Sequence, residues 1–155
     1  MLLDSIKNPK TKKHILIVDD HSVIREGLKL LIGQEADLEV SALAQDATEA
    51  MECINQGDID LAVVDISLNG QSGLKLTEEI KSSKPHLPVL ILTMHDEELY
   101  AKRAFRAGAK GYVTKNEATD TIISAMRMML QGHDYISDSM AQKFLRKIHG
   151  KDDET

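Results

Sequence analysis

Cysteine is nearly absent: Cys53 is the only one in 155 residues. An internal disulfide is excluded, and the usage suits a reducing cytoplasm. Its neighbours Ala50, Met51 and Ile54 mark it as a small packed hydrophobe rather than a nucleophile. Tryptophan is missing and aromatics reach only 3%, so Leu, Ile, Val, Ala and Met must fill the core; a hydrophobic content of 42% is enough for one. Apolar runs stay far below the ~20 residues of a spanning helix, and no signal-peptide pattern opens the chain. No membrane association is expected. Positive charge is the minority sign, with 19 Lys and Arg against 25 Asp and Glu. The basic footprint of a nucleic-acid-binding domain is therefore lacking. The short cluster Lys7, Lys10, Lys12, Lys13 reads as a solvated tail. There is no G-x-G-x-x-G and no Walker A sequence. Gly70-Gln71-Ser72-Gly73 supplies two glycines and reads as a turn and helix start, so a nucleotide or flavin binder of similar architecture has little support.

Alternation is what the chain does have. Apolar runs at Ile15–Val18, Leu61–Ile66 and Val89–Leu92, with weaker ones at Leu38–Leu43 and Gly111–Thr114, show no polar–apolar alternation. Such runs suit parallel strands covered on both faces. Helical stripes lie between them. One is Ile24, Leu28, Leu31 and Ile32, which Gly33 can close. Another is Ala47, Ala50, Met51 and Ile54, with Asp46 as N-cap. A third starts near Ser72, and a fourth at Asp96, ending at Gly108. The fifth carries Ala118, Ile122, Met126, Met129 and Leu130, closed by Gly132.

Five strand–helix pairs predict an α/β fold: a doubly wound, flavodoxin-like parallel sheet in the order 2-1-3-4-5 with five helices. Residues 1–13 are expected to form a leader and 14–132 the domain. Residues 133–155 are expected to form a helical tail, with the stripe Met140, Phe144, Leu145 and Ile148.

Ligands of open parallel sheets bind outside the carboxyl ends of the strands. There the first strand ends in Asp19-Asp20, the third carries Asp65, the fourth ends at Thr93 and the fifth at Lys115. Asp-Asp alone is usually a turn or cap, a lone Thr such as Thr93 a strand end or N-cap, and a lone Lys such as Lys115 a solvated loop residue. A carboxylate inside an apolar run, such as Asp65, is rarer, because burying it unpaired costs several kcal/mol. Together the carboxylates would repel each other unless a hard cation compensates, and Mg²⁺ takes oxygen ligands of this kind. With Lys115 and Thr93 as donors for further oxygens, the set describes a phosphoryl site at which Asp65 is the nucleophile.

The pieces "ILIVDDH", "LAVVDISL", "VLILTMH" and "AGAKGYVTK", taken in order, resemble the receiver domain of two-component response regulators. The resemblance runs from about His14 to Gly132. It implies that Asp65 accepts a phosphoryl group from a sensor histidine kinase. It also implies that Asp19 and Asp20 hold Mg²⁺ with the Ser67 backbone carbonyl, and that Lys115 pairs with the phosphoryl group. Thr93 and Tyr112 match the switch pair of the family. Ser67 and His95 occupy positions that influence phosphoryl lifetime. Asn69 and Asn116 stand where many receivers have proline. "TMHDEELYAKRAFRAGAKGYVTK" and "YISDSMAQKFLRKI" look like the LuxR/FixJ (NarL)-type subfamily, in which a helical linker leads to a helix-turn-helix that binds DNA.

The expectation is therefore a cytoplasmic signalling switch, not an enzyme. It would be part of a longer regulator, dimerise on phosphorylation, and reach DNA only through a domain beyond Thr155. Lys102, Arg103, Arg106 and Arg127, with Glu97, Glu98 and Asp120, could pair across a two-fold axis. The alternatives are a stand-alone receiver and a phosphorylation-independent interaction module. The second is disfavoured because the acidic set and the lysine are all kept.

Overall fold

The computed structural model describes residues 12–68, 70–94, 98–117, 119–138 and 140–146. Strand β1 (Lys13–Val18) leads through α1 (Ser22–Gly33) to β2 (Leu38–Ala44), and α2 (Ala47–Asn55) leads to β3 (Leu61–Val64). A small antiparallel hairpin, β4 (Ser67–Leu68) with β5 (Gln71–Ser72), precedes α3 (Gly73–Ser83). Then come β6 (Val89–Thr93), α4 (Glu98–Ala107), β7 (Gly111–Thr114), α5 (Thr119–Leu130) and β8 (Tyr135–Ile136). Residues 138 and 140–146 are helical again.

The main sheet is parallel, in the order β2-β1-β3-β6-β7-β8. Its first five members follow the expected 2-1-3-4-5 order. The expected count of five strands and five helices is corrected: β8 adds a sixth strand, and residues 138 and 140–146, within the tail expected to be helical, add a sixth helix among the described residues.

The burial explains the composition of each strand. All of β3, β6 and β7 is buried, as is Ile15–Val18 of β1. The edge strand β2 is partly exposed, which is why its apolar signal is weak. Two cores result. Residues Ala50 and Ile54 of α2, Leu76 and Ile80 of α3, and Ala101 and Ala104 of α4 pack on one face. Residues Leu28 and Ile32 of α1, with Ile122, Met126 and Met129 of α5, pack on the other. The central strands must therefore be apolar on both sides.

The caps are largely those expected. The Asp46 carboxylate accepts from the Glu49 amide at 2.9 Å, and the Ser72 hydroxyl from the Lys75 amide at 3.3 Å. Gly33 differs: it is the last helical residue, and Gln34 caps α1 in a right-handed conformation. The expected helix start at Asp96, the position of Asn69, most of the leader and the stripe residues Ala118 and Ile148 lie outside the described residues.

Arg127, expected as a surface cation for a two-fold contact, is used within the chain. Its Nε and Nη2 donate to the two Asp37 carboxylate oxygens at 3.0 and 2.9 Å, and Nη2 donates to Glu35 at 2.5 Å. This fork ties α5 to the turn between α1 and β2. It holds the Asp37 carboxyl below its ordinary range. A depressed carboxyl contributes stability above its unfolded pKa, and that stability is lost as pH falls through the folded value. Arg127→Ala is expected to cost roughly 0.5–1 kcal/mol at neutral pH. Urea titrations should show the gap to the parent chain closing as the solution is acidified below the ordinary Asp range.

Candidate functional site

The site forms where strands end. Asp19 directly follows β1 and Asp65 directly follows β3, and both are buried. The Asp65 amide donates to the Val18 carbonyl at 3.0 Å, so the β1–β3 ladder itself sets the two aspartates side by side. One strand pair further on, the Lys115 amide donates to the Thr93 carbonyl at 2.7 Å. That bond fixes where the lysine leaves β7.

From there the Lys115 ammonium reaches back across the sheet edge. It donates to Asp19 Oδ2 at 2.8 Å and to Asp65 Oδ2 at 3.0 Å. All three side chains are under a tenth exposed. Burial lowers the Lys115 pKa, but the hydrogen bonds from Asp19 and Asp65 outweigh it and leave the ammonium above its ordinary value. The lysine is thus a fixed positive charge.

Asp20 sits at the rim, with its side chain 22% exposed. His21, which carried no expected role, leans over the pair. Its Nδ1 lies 2.8 Å from Asp19 Oδ1 and 3.0 Å from Asp20 Oδ1. The hydrogen bond to Asp19, and then the charges of Asp20 and Asp19, raise its pKa. Arg25 adds a bond from Nη1 to the Asp19 carbonyl at 2.6 Å. The only sequence signal for either residue was position: His21 follows the aspartates directly, and Arg25 lies one helical turn on.

Ligand atoms of Asp19, Asp20, His21 and Asp65 lie within 4.8 Å of one another, so this acidic cluster could hold a metal ion. Three carboxylates give the hard oxygen set that suits Mg²⁺. The imidazole is a poor partner for that ion and serves better as a proton donor to the acids.

The remaining expected residues fall around this centre. Thr93 closes β6 and is buried, as is Tyr112 in the middle of β7. Register pairs Ile91 with Tyr112 and Thr93 with Thr114, so Thr93 and Tyr112 share one face of the sheet. Ser67 is exposed in β4, with its amide 3.4 Å from Asp65 Oδ1. His95 lies outside the described residues. Gly73 abuts the site from below: a Cβ there would collide with the Asp65 carbonyl oxygen. Burial, then Glu49 and Glu52, push the Cys53 thiol pKa up, away from a reactive thiolate.

A parallel sheet that brings two buried aspartates and a lysine to its carboxyl edge is the arrangement of a receiver domain. The chain belongs to the response regulator receiver domain family, whose pattern matches residues 15–127. It is 38% identical over 135 residues to the oxygen regulatory protein NreC of Staphylococcus carnosus, covering 86% of this chain and 62% of that one. NreC of Staphylococcus haemolyticus is 36% identical over 143 residues. The chain thus spans less than two thirds of the length of these relatives. A LuxR-family two-component response regulator from Aurantimonas sp. SI85-9A1 superposes with a TM-score of 0.84 at 34% identity, over 88% of this chain and 97% of that one. The signal receiver domain of NarL from Mycobacterium tuberculosis superposes with a TM-score of 0.74 at 26% identity, over 79% and 98%. The receiver is of the NarL type.

Removing the lysine leaves two buried acids without their counter-charge. Lys115→Ala is expected to cost about 3 kcal/mol in urea unfolding. Millimolar Mg²⁺ should then stabilise the variant more than the parent. Gly73→Ala is expected to cost roughly 1–3 kcal/mol through displacement of the Asp65 backbone, checked in the same titration.

Proposed function

We propose that this chain is the phosphorylatable input half of a two-component transcription regulator, with Asp65 as the acceptor. The observation that carries this reading is the Lys115 ammonium held between the Asp19 and Asp65 carboxylates, at 2.8 and 3.0 Å. A fixed cation next to a buried carboxylate can neutralise charge arriving on phosphoryl oxygens.

One Asp65 carboxylate oxygen attacks the phosphorus of a phosphohistidine on a sensor histidine kinase. The P–O bond forms as the P–N bond breaks, and the departing imidazole keeps the electron pair and takes a proton from solvent. Asp19, Asp20, Asp65 and the Ser67 carbonyl would hold Mg²⁺, which when bound neutralises phosphoryl oxygen charge. Lys115 leaves Asp65 for the phosphoryl group and keeps its bond to Asp19. The Thr93 hydroxyl donates to a phosphoryl oxygen, and Tyr112 stays turned inward behind it. Ser67 and His95 tune how long the acyl phosphate survives. The reaction modifies the chain itself and turns over no separate substrate. Output follows as dimerisation and DNA binding through a C-terminal domain beyond this chain, in the cytoplasm. No helix among the described residues is long and apolar enough to cross a membrane.

Incubation with Mg²⁺ and acetyl phosphate should add one phosphate to the chain by intact mass, and none to Asp65→Asn. An unmodified parent chain, or a modified Asp65→Asn, overturns the assignment.

A further inference from the structure

We propose that the C-terminal segment, residues 133–138 and 140–146, is a latch on Tyr112: docked, it keeps the ring inside the core, in the same conformer that phosphorylation of Asp65 favours. The proposal rests on the phosphoryl reading above and adds the element that reads it out.

The latch is visible in the register. Strand β8 extends the sheet beyond β7 and pairs Tyr112 with Ile136. Paired residues of neighbouring parallel strands project to the same face, so Ile136 stands between the tyrosine and the open edge of the sheet. Met140 is 2% exposed and belongs to the same core as Tyr112, Ile91, Ala101 and Ala104. Ile136 and Phe144 pack against that core. A ring swinging outward toward the edge would enter the volume these side chains fill. The docked segment and an outward ring exclude each other.

The segment is held well enough to dock and lightly enough to leave. The Tyr135 amide donates to the Lys110 carbonyl at 2.8 Å and ties the segment to the domain, while the bond from the Ala141 amide to the Ser137 carbonyl at 2.9 Å closes the segment's own helical turn. Its strand is only two residues long. A cavity of about 460 Å³ remains between the segment and the loop after β7, lined by Thr114, Asn116, Tyr135, Ser137 and Lys143 among others. The flank nearest Lys115 is therefore not close-packed. A two-residue strand flanked by open space has few bonds to break when it leaves.

Two ends thus bias one bistable side chain. From the site side, Thr93 shares the sheet face of Tyr112. From the edge side, Ile136 and Met140 block its exit. Coupling between two such inputs is reciprocal for equilibrium binding. Whatever factor the phosphoryl group contributes to docking, docking must return to the phosphoryl group.

The test titrates the chain with beryllofluoride, a phosphoryl mimic, in Mg²⁺, and follows amide exchange. Saturation is expected to slow exchange at Tyr135, Ile136 and Ala141 by about fivefold or more. Met140→Ser should weaken apparent beryllofluoride affinity by the same factor. Tyr135→Pro removes the amide that Lys110 accepts while leaving Met140 in place, and should weaken affinity in the same direction. Unchanged tail exchange at saturation, or parent-like affinity in both variants, overturns the latch and leaves the phosphoryl reading intact. A parent chain that binds no beryllofluoride and takes no phosphate from acetyl phosphate overturns both.

Discussion

A single ammonium between two buried carboxylates is the constraint on which this structure turns. Asp19 and Asp65 are both nearly inaccessible, and each would raise the other's cost of ionisation. Burial alone would push Lys115 toward its neutral form, but the two hydrogen bonds reverse that and keep it charged. The three residues come from three strands and are 50 and 96 positions apart in pairs with the lysine. They meet only because the sheet ladder sets them there. The Asp65 amide on Val18 and the Lys115 amide on Thr93 belong to that ladder. An apolar trio of similar volume would make a more stable strand edge. The charged trio gives up stability for a site that can exchange one set of oxygen partners for another.

Much of this was legible in the residues because both signals are local and strong. Three apolar runs become the buried strands β1, β3 and β6, the weaker run at Gly111–Thr114 becomes β7, and Asp46 and Ser72 cap the helices they precede. Asp65 stood out as a carboxylate in an apolar run, and its burial follows. What escaped was not local. Strand β8 is two half-buried residues, Tyr135 and Ile136, set between Asp134 and Ser137. A segment that short has no period to detect; its partner β7 makes it a strand. Arg127 looked like a surface charge because its carboxylate partners Glu35 and Asp37 lie about 90 residues earlier. The contact of His21 with Asp19 and Asp20 depends on the turn into α1, which spacing alone does not specify.

Strand β7 ties these observations into one mechanism. Within four residues it carries Tyr112 in its middle and hands the chain to Lys115 at its end. Such a strand is nearly inextensible and is bonded on both sides, to β6 and to β8. In the proposed phosphorylation, an ammonium that gives up its bond to Asp65 for a phosphoryl oxygen shifts the chain where β7 ends. That shift cannot dissipate along a close-packed strand, because neighbours there have discrete arrangements rather than a continuum. In the proposed switch the group with two arrangements is the ring of Tyr112. The segment beginning at β8 is the proposed reader of that ring. The proposed route from charge to output is thus one strand wide, and it uses the same register that brings the carboxylates together.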